Sequence, residues 1–206
     1  TLAQRAADIV TTETGGYLIV GETETGTAQG LDAYLLHVDA SGTVVWERHF
    51  GGTGTDRLHG VTVLTDGGFA VVGQSDSEGT HGGDDVYVVT FDARGKRTGV
   101  VWLGGAGNEA GCDIVTTADG NLIVIGDTET FGANPVDAYL VKLSADLETL
   151  ASVTVGGMGH DQARAAAELA DGSVVVVGAT TSMGAGGSDA YAFKVDAALG
   201  NVLWEY

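Results

Sequence analysis

Only one cysteine and one proline occur among the 206 residues. The lone cysteine, Cys112, excludes an intrachain disulfide framework and leaves the compartment open. Its place after Gly111 in a strand-like segment reads as a small buried residue. Basic residues are scarce too: nine face 28 acids, for a formal charge of −19. Such a surface repels phosphate backbones and anionic headgroups, so neither nucleic acid nor a membrane surface is an expected partner. It suits high solubility, cation binding or salty surroundings. No apolar run approaches the length of a membrane-spanning helix, and helical Ala/Glu/Lys/Leu runs are missing. The chain opens at Thr1 without a basic-then-apolar leader, so any export signal is expected to lie outside this sequence. What is plentiful is glycine, 34 residues, alongside valine, threonine and leucine. No G-X-Y period accompanies it, which excludes collagen. The composition is that of an all-β domain with 44% hydrophobic residues, enough for a core.

The glycines are periodic. Gly21, Gly73, Gly126 and Gly178 each close an apolar run, at spacings of 52, 53 and 52. A D-[AV]-Y triplet recurs with them, its aspartate at Asp32, Asp85, Asp137 and Asp189 and its tyrosine at Tyr34, Tyr87, Tyr139 and Tyr191. A Gly-Gly pair begins at Gly51, Gly104 and Gly156. Four repeats of about 52 residues (1–50, 51–103, 104–155 and 156–206) thus fill a single domain, 1–206.

Each repeat reads as four short strands. The first covers Ala6–Thr12, Leu58–Leu64, Gly111–Thr117 or Ala163–Leu169. The turns "TGGY", "DGGF", "DGNL" and "DGSV" follow. Asp-Gly between apolar runs predicts a type I′ hairpin. The second strands, "YLIVG", "FAVVG", "LIVIG" and "VVVVG", are apolar throughout, so both faces must be covered. The third begins at D-[AV]-Y, and the fourth, as in "TVVWERHF", is polar enough for an outer edge. Sheets apolar on both faces must stack, and stacking around an axis gives a four-bladed β-propeller with four antiparallel strands per blade. The ring is expected to close through the chain termini; pairing of two chains into a larger ring is the alternative.

The pattern W-x3-F-G-G-x-G-x-D, D-G-G, V-G-x-T and D-A-Y-L-V-K resembles the propeller repeats of secreted and cell-surface bacterial proteins, the SBBP repeats among them. The likeness runs through all four units and implies a propeller fold and an extracellular or cell-surface location. Two units depart from it. Trp46 and Trp204 hold the outer-strand tryptophan position, where Gly99 and Ala151 align in the second and third units. Trp102 falls three residues late, which suggests a slipped outer strand in the second unit. These departures read as natural drift.

Chemistry is harder to place. The four D-[AV]-Y aspartates could ring a cation, but a group present in every unit is better explained as accepting hydrogen bonds from loop amides. The tyrosines read as core residues with hydroxyls reaching polar partners. "GGTGTDRLH" fits the calcium nonapeptide G-G-x-G-x-D-x-U-x, which makes Asp56, Glu109 and Asp161 the candidate metal ligands and calcium the candidate cofactor. A calcium roll stacks such nonapeptides in tandem, however, and these stand 52 or 53 residues apart. An interblade turn capped by the three carboxylates is the stronger reading. No phosphate loop, nucleophile elbow, H-E-x-x-H or C-x-x-C is present, so no catalytic residue and no enzyme activity is expected. The best metal-like cluster of a single loop is His81 with Asp84 and Asp85. The long, variable loops between second and third strands form the expected working surface. They carry Glu22, Glu24, Asp76, Glu78, His81, Asp127, Glu129 and one aromatic, Phe131. Their acidity favours a cation or a basic protein partner and gives carbohydrate little to stack on. A non-enzymatic interaction module follows, with a self-associating structural subunit as the alternative and a calcium-dependent carbohydrate- or protein-binding propeller as a further one.

Overall fold

A computed structural model describes residues 3–24, 30–77, 81–132 and 135–206. Four separate sheets of four antiparallel strands follow one another along the chain. Blade 1 holds β1 (Gln4–Thr11), β2 (Tyr17–Thr23), β3 (Asp32–Val38) and β4 (Val44–Phe50). Blade 2 holds β5 (Asp56–Val63), β6 (Phe69–Ser75), β7 (Asp85–Phe91) and β8 (Arg97–Leu103). In blade 3 are β9 (Glu109–Thr116), β10 (Leu122–Thr128), β11 (Asp137–Leu143) and β12 (Thr149–Val155). Blade 4 comprises β13 (Asp161–Glu168), β14 (Val174–Thr180), β15 (Asp189–Val195) and β16 (Val202–Glu205). The third strands start at the D-[AV]-Y aspartate, as the sequence predicts, while the first strands start two residues earlier than expected.

A bulge in each innermost hairpin accounts for the periodic glycine. Ala7, His59, Cys112 and Arg164 are each skipped in the pairing of first and second strands. At each bulge the carbonyl two residues before the skipped one, such as that of Ala110, faces the second strand. A Cβ on Gly21, Gly73, Gly126 or Gly178 would collide with that carbonyl.

The inner turns are not type I′. Only one residue per turn has positive φ: Gly15, Gly67, Gly120 and Gly172, at 78 to 81°. The residue before each glycine keeps negative φ, giving a type I turn closed by a left-handed glycine. Negative φ leaves the aspartate free to accept from a downstream amide: Asp66 from Gly68 N at 2.9 Å and Asp171 from Ser173 N at 3.0 Å.

Consecutive blades pack through three equivalent cores. Leu18, Val20, Ala33 and Leu35 on the rear face of blade 1 meet Leu58, Val61, Phe69 and Val71 on the front face of blade 2. The same positions, shifted by one repeat, join blade 2 to blade 3 and blade 3 to blade 4. Every one of the rear-face residues Leu18, Val20, Ala33 and Leu35 is fully buried, which is why these strands are apolar on both sides. The outer strand of blade 2 is not slipped. Its register break falls between Thr90 and Phe91, in line with His37/Val38 in blade 1. Trp102 sits opposite Tyr87 and packs on its ring at 5.2 Å.

The ring does not close through the termini. Inner strands pack β1 on β5, β5 on β9 and β9 on β13, but no comparable packing joins β13–β16 to β1–β4 among the described residues. Ile9, equivalent to the buried Val61, is 56% exposed, and Val177, equivalent to the buried Val72, is 48% exposed. The four blades form an open arc with both end faces uncovered.

Candidate functional site

The strand entrances of the arc gather the predicted carboxylates. Asp56 is buried and accepts from Gly52 N (2.8 Å), Ser75 Oγ (2.6 Å) and Ser77 Oγ (2.7 Å). Glu109, also buried, accepts from Gly105 N (2.7 Å), Thr128 Oγ1 (2.8 Å) and Thr130 N (3.1 Å). Asp161 repeats the pattern with Gly157 N (2.7 Å), Ser182 Oγ (2.5 Å) and Thr180 Oγ1. Each carboxylate therefore ties its own interblade loop to the second strand of its blade. Hydrogen bonds from Ser182 and Thr180 outweigh desolvation at Asp161 and hold its pKa below the usual range. Among the described residues no group of three or more His, Cys, Asp or Glu side chains is arranged to hold a metal.

The D-[AV]-Y aspartates stand beside these acids. A Cβ placed on Gly51 would touch both Asp32 and Asp56; Gly104 separates Asp85 from Glu109, and Gly156 separates Asp137 from Asp161. Asp85 accepts from His81 N at 2.5 Å, with His81 Nδ1 at 3.3 Å, and Asp189 accepts from Ala185 N at 3.1 Å. The tyrosines two residues on turn inward: Tyr87, Tyr139 and Tyr191 are buried, while Tyr34 on the open face of blade 1 is half-buried. Tyr191 Oη donates to Glu205 at 3.0 Å. Burial, then the Asp56 charge, pushes the Tyr87 hydroxyl up to about 12.

The loop acids are spread along the blade joints. Glu22 pairs with Arg57 of blade 2 at 2.9 Å and with Arg5 at 3.8 Å. Glu24 accepts from Ala3 N at 3.2 Å, and Asp76 accepts from Thr55 N. Asp127 bridges blades 3 and 4, accepting from Ala163 N (2.8 Å), Gln162 Nε2 (3.3 Å) and Arg164 Nη1 (3.0 Å). Desolvation nevertheless raises its pKa. Glu129 accepts from Asn108 Nδ2 at 2.6 Å, and Phe131 packs on Tyr139 at 5.4 Å. Glu78 lies outside the described residues.

Among the concavities of the described residues, two join three or more blades. On the loop side, a recess of about 170 Å³ between blades 2, 3 and 4 brings together Asp84, Glu109, Asp127 and Glu129 with the amides of Gln74, Asn108 and Gln162. Gln74, Asn108 and Gln162 each donate to one of its acids, and Arg164, just outside the lining, pairs with Asp127 at 3.0 Å, so the four carboxylates keep the recess negative but partly satisfied from within. On the opposite side, where the inner hairpins turn, a shallow basin of about 710 Å³ spans all four blades. Thr11, Thr12, Thr62, Thr65, Thr116 and Thr117 line it, with Glu13 and Glu168 at the margin. The sequence directs attention to the variable loops and away from this basin. Its only signal is a threonine at or next to the end of each of the first three inner strands, Thr11, Thr62 and Thr116.

Cys112 is the bulged residue of β9 and is half-buried rather than buried as the sequence suggested. Arg164 Nη1 is 3.3 Å from its Sγ. Burial is the largest influence on the thiol, followed by the Asp127 charge, and together they push it up to about 11. That is an inert thiol at neutral pH.

The sequence matches no known protein family and no curated protein. Solved structures do match the fold. The Neurospora crassa Pan2 WD40 domain superposes with a TM-score of 0.59 at 9% identity, over 98% of this chain and 65% of that one. The endo-arabinase from Bacteroides thetaiotaomicron gives 0.55 at 12% identity, over 96% and 77%. A puromycin hydrolase gives 0.54 at 19% identity, over 97% of this chain and 30% of the hydrolase. This chain is thus shorter than each of these structures and spans 65% of the WD40 domain. At these identities the likeness shows the fold alone: a repeated all-β chain built from propeller blades.

Proposed function

We propose that the protein is a non-enzymatic interaction module that receives a basic side chain of a protein partner on its loop side. The recess lined by Asp84, Glu109, Asp127 and Glu129 carries this reading. Its Asp84, Asp127 and Glu129 carboxylates, each already accepting from a recess amide, keep further lone pairs for an ammonium or guanidinium group, Glu109 adds charge behind them, and the charge of −19 steers such a partner in. Two observations favour a binding role: the one thiol is pushed up to about 11, and the joint carboxylates are engaged with hydroxyls and amides. A secreted or cell-surface setting is part of the proposal, supported by the resemblance to SBBP repeats and by the acidic composition. Calcium and carbohydrate are less well served, since hydroxyl donors already occupy Asp56, Glu109 and Asp161 and the one loop aromatic packs on Tyr139.

The test is calorimetric titration with a hexa-arginine peptide at low and high salt. Asp84→Asn/Glu129→Gln is expected to weaken binding about tenfold, whereas Asp146→Asn/Glu148→Gln, which removes equal charge from an exposed turn of blade 3, changes it little. Equal losses from both pairs would reduce the interaction to general charge attraction and refute the recess.

A further inference from the structure

The three internal joints are built from one set of positions, and the two halves of a fourth joint are both present and uncovered. On the rear face of blade 4, Val175, Val177, Ala190 and Ala192 occupy the places of the buried Leu18, Val20, Ala33 and Leu35. All four are exposed or half-buried. On the front face of blade 1, Ile9, Tyr17, Ile19, Tyr34 and Leu36 occupy the places of the buried Val61, Phe69, Val71, Tyr87 and Val89. None of the five is buried.

Size pairing at the rim identifies what each half fits. In the first joint Trp46 of β4 lies over the β7–β8 turn, where a Cβ on Gly95 would come within 3.0 Å of its ring. In the second joint the tryptophan is replaced by Gly99 and the turn glycine by Leu147, whose Cδ1 would lie 2.9 Å from a Cβ on Gly99. In the third, Ala151 packs against the core containing Leu199. Large meets glycine, and small meets leucine. The leucines keep the left-handed backbone of the glycines they replace, with φ of 65° at Leu147 and 56° at Leu199. Blade 4 presents Trp204, and the matching turn of blade 1 presents Gly42, with φ of 83° and nothing within 4 Å of an added Cβ. That is the pairing of the first joint.

The axis carries a second, independent match. Asp8 Oδ2 accepts from Val61 N of blade 2 at 3.0 Å, and Asp113 Oδ2 from Ala166 N of blade 4 at 2.9 Å. Blades 2 and 4 have Gly60 and Ala165 at the same position and offer no carboxylate. The following amide, Ile114 N, is instead satisfied by its own Asp113 at 2.8 Å. Ile9 N is likewise satisfied by its own Asp8 at 2.8 Å. Blade 1 is therefore made to follow a carboxylate-free blade, as blade 3 follows blade 2.

We infer that the open faces join a second copy of this chain, the rear of blade 4 of each copy seating on the front of blade 1 of the other. Two such joints are identical by two-fold symmetry and close one ring from two four-blade arcs, eight blades in all. Trp204 of each copy covers Gly42 of the other. The occupant is a second copy because both halves of the joint follow the internal pairing rule and the arc keeps them apart within one chain. This assembly does not depend on the basic partner proposed above. Salt separates the two, since screening weakens capture of a cationic peptide and strengthens association of two chains of charge −19.

Light scattering at tens of micromolar and moderate salt is expected to give twice 20.9 kDa. A mass of one chain under those conditions overturns the inference, and so does an open series of larger species. Gly42→Leu is expected to fold, because leucine already occupies the equivalent turn position at Leu147 and Leu199. It should weaken the dimer by about a hundredfold or more, since the overpacking recurs in both joints. Adding Trp204→Gly to it recreates the Gly99–Leu147 pairing and should restore the mass of two copies. A dimer indifferent to Gly42→Leu, or a folded double variant that stays monomeric, overturns the assigned faces.

Discussion

Replacing Leu199 with glycine sets two effects of opposite sign against each other. Leu199 holds a left-handed backbone with φ of 56°, which disfavours a branched side chain by roughly 1–2 kcal/mol and which glycine adopts freely. Its side chain is 2% exposed within the joint between blades 3 and 4, beside Ala151. Emptying such a site costs about 2–5 kcal/mol, because Ala151 across the joint is too small to fill it. Packing wins, and Leu199→Gly is expected to destabilise by about 2 kcal/mol net. For a chain of this length that is a fall in melting temperature of roughly 4–8 °C. Differential scanning calorimetry reads it directly. Adding Ala151→Trp should return part of the loss, since it rebuilds the Trp46–Gly95 pairing at another joint. A Leu199→Gly protein that melts higher than the parent would mean that backbone strain dominates, and the size-pairing rule would fail with it.

Three further outcomes follow from the joints and turns. Asp56→Ala removes three hydrogen bonds to a buried carboxylate and should cost about 2–4 kcal/mol by urea denaturation, with Asp56→Asn retaining part of it. Saturating calcium should leave the melting midpoint unchanged, because a cation would have to displace the Ser and Thr hydroxyls from Asp56, Glu109 and Asp161; a clear rise would restore the metal reading. Asp171, pulled down to about 2 chiefly by the Ser173 hydroxyl, and Asp39, Asp92, Asp119 and Asp196, also lowered, are more acidic folded than unfolded. Their contribution is present above pH 4 or so and is lost as pH falls toward 2, so stability should decline through that window and Asp171→Asn should flatten the decline.

The sheets were legible in the sequence because burial on both faces leaves an uninterrupted apolar signature, and because Asp32, Asp85, Asp137 and Asp189 mark a strand start without ambiguity. Closure was not legible. Two-sided burial requires neighbours but does not set the angle between them, which depends on side-chain volumes at the inner and outer ends of each joint. The loss of tryptophan at Gly99 and Ala151 reads as drift in one dimension. It becomes compensation once Leu147 and Leu199 are seen across the joint. The candidate site followed the same course: Asp127 and Glu129 were identifiable as loop acids, Glu109 as a turn carboxylate and Asp84 as a neighbour of His81, but they meet one another and the amides of Gln74, Asn108 and Gln162 only because three blades converge. The threonine basin gave no motif at all, since it is assembled from the last residues of inner strands in separate repeats.

A crystal structure of the chain at neutral pH is the most direct measurement. It should show a ring of eight blades from two chains, with Trp204 of one over Gly42 of the other and Ile9 buried. A four-bladed ring in which β13 lies against β1 of its own chain, or an isolated arc with Ile9 and Val177 in solvent, would contradict the joint rule on which the assembly rests.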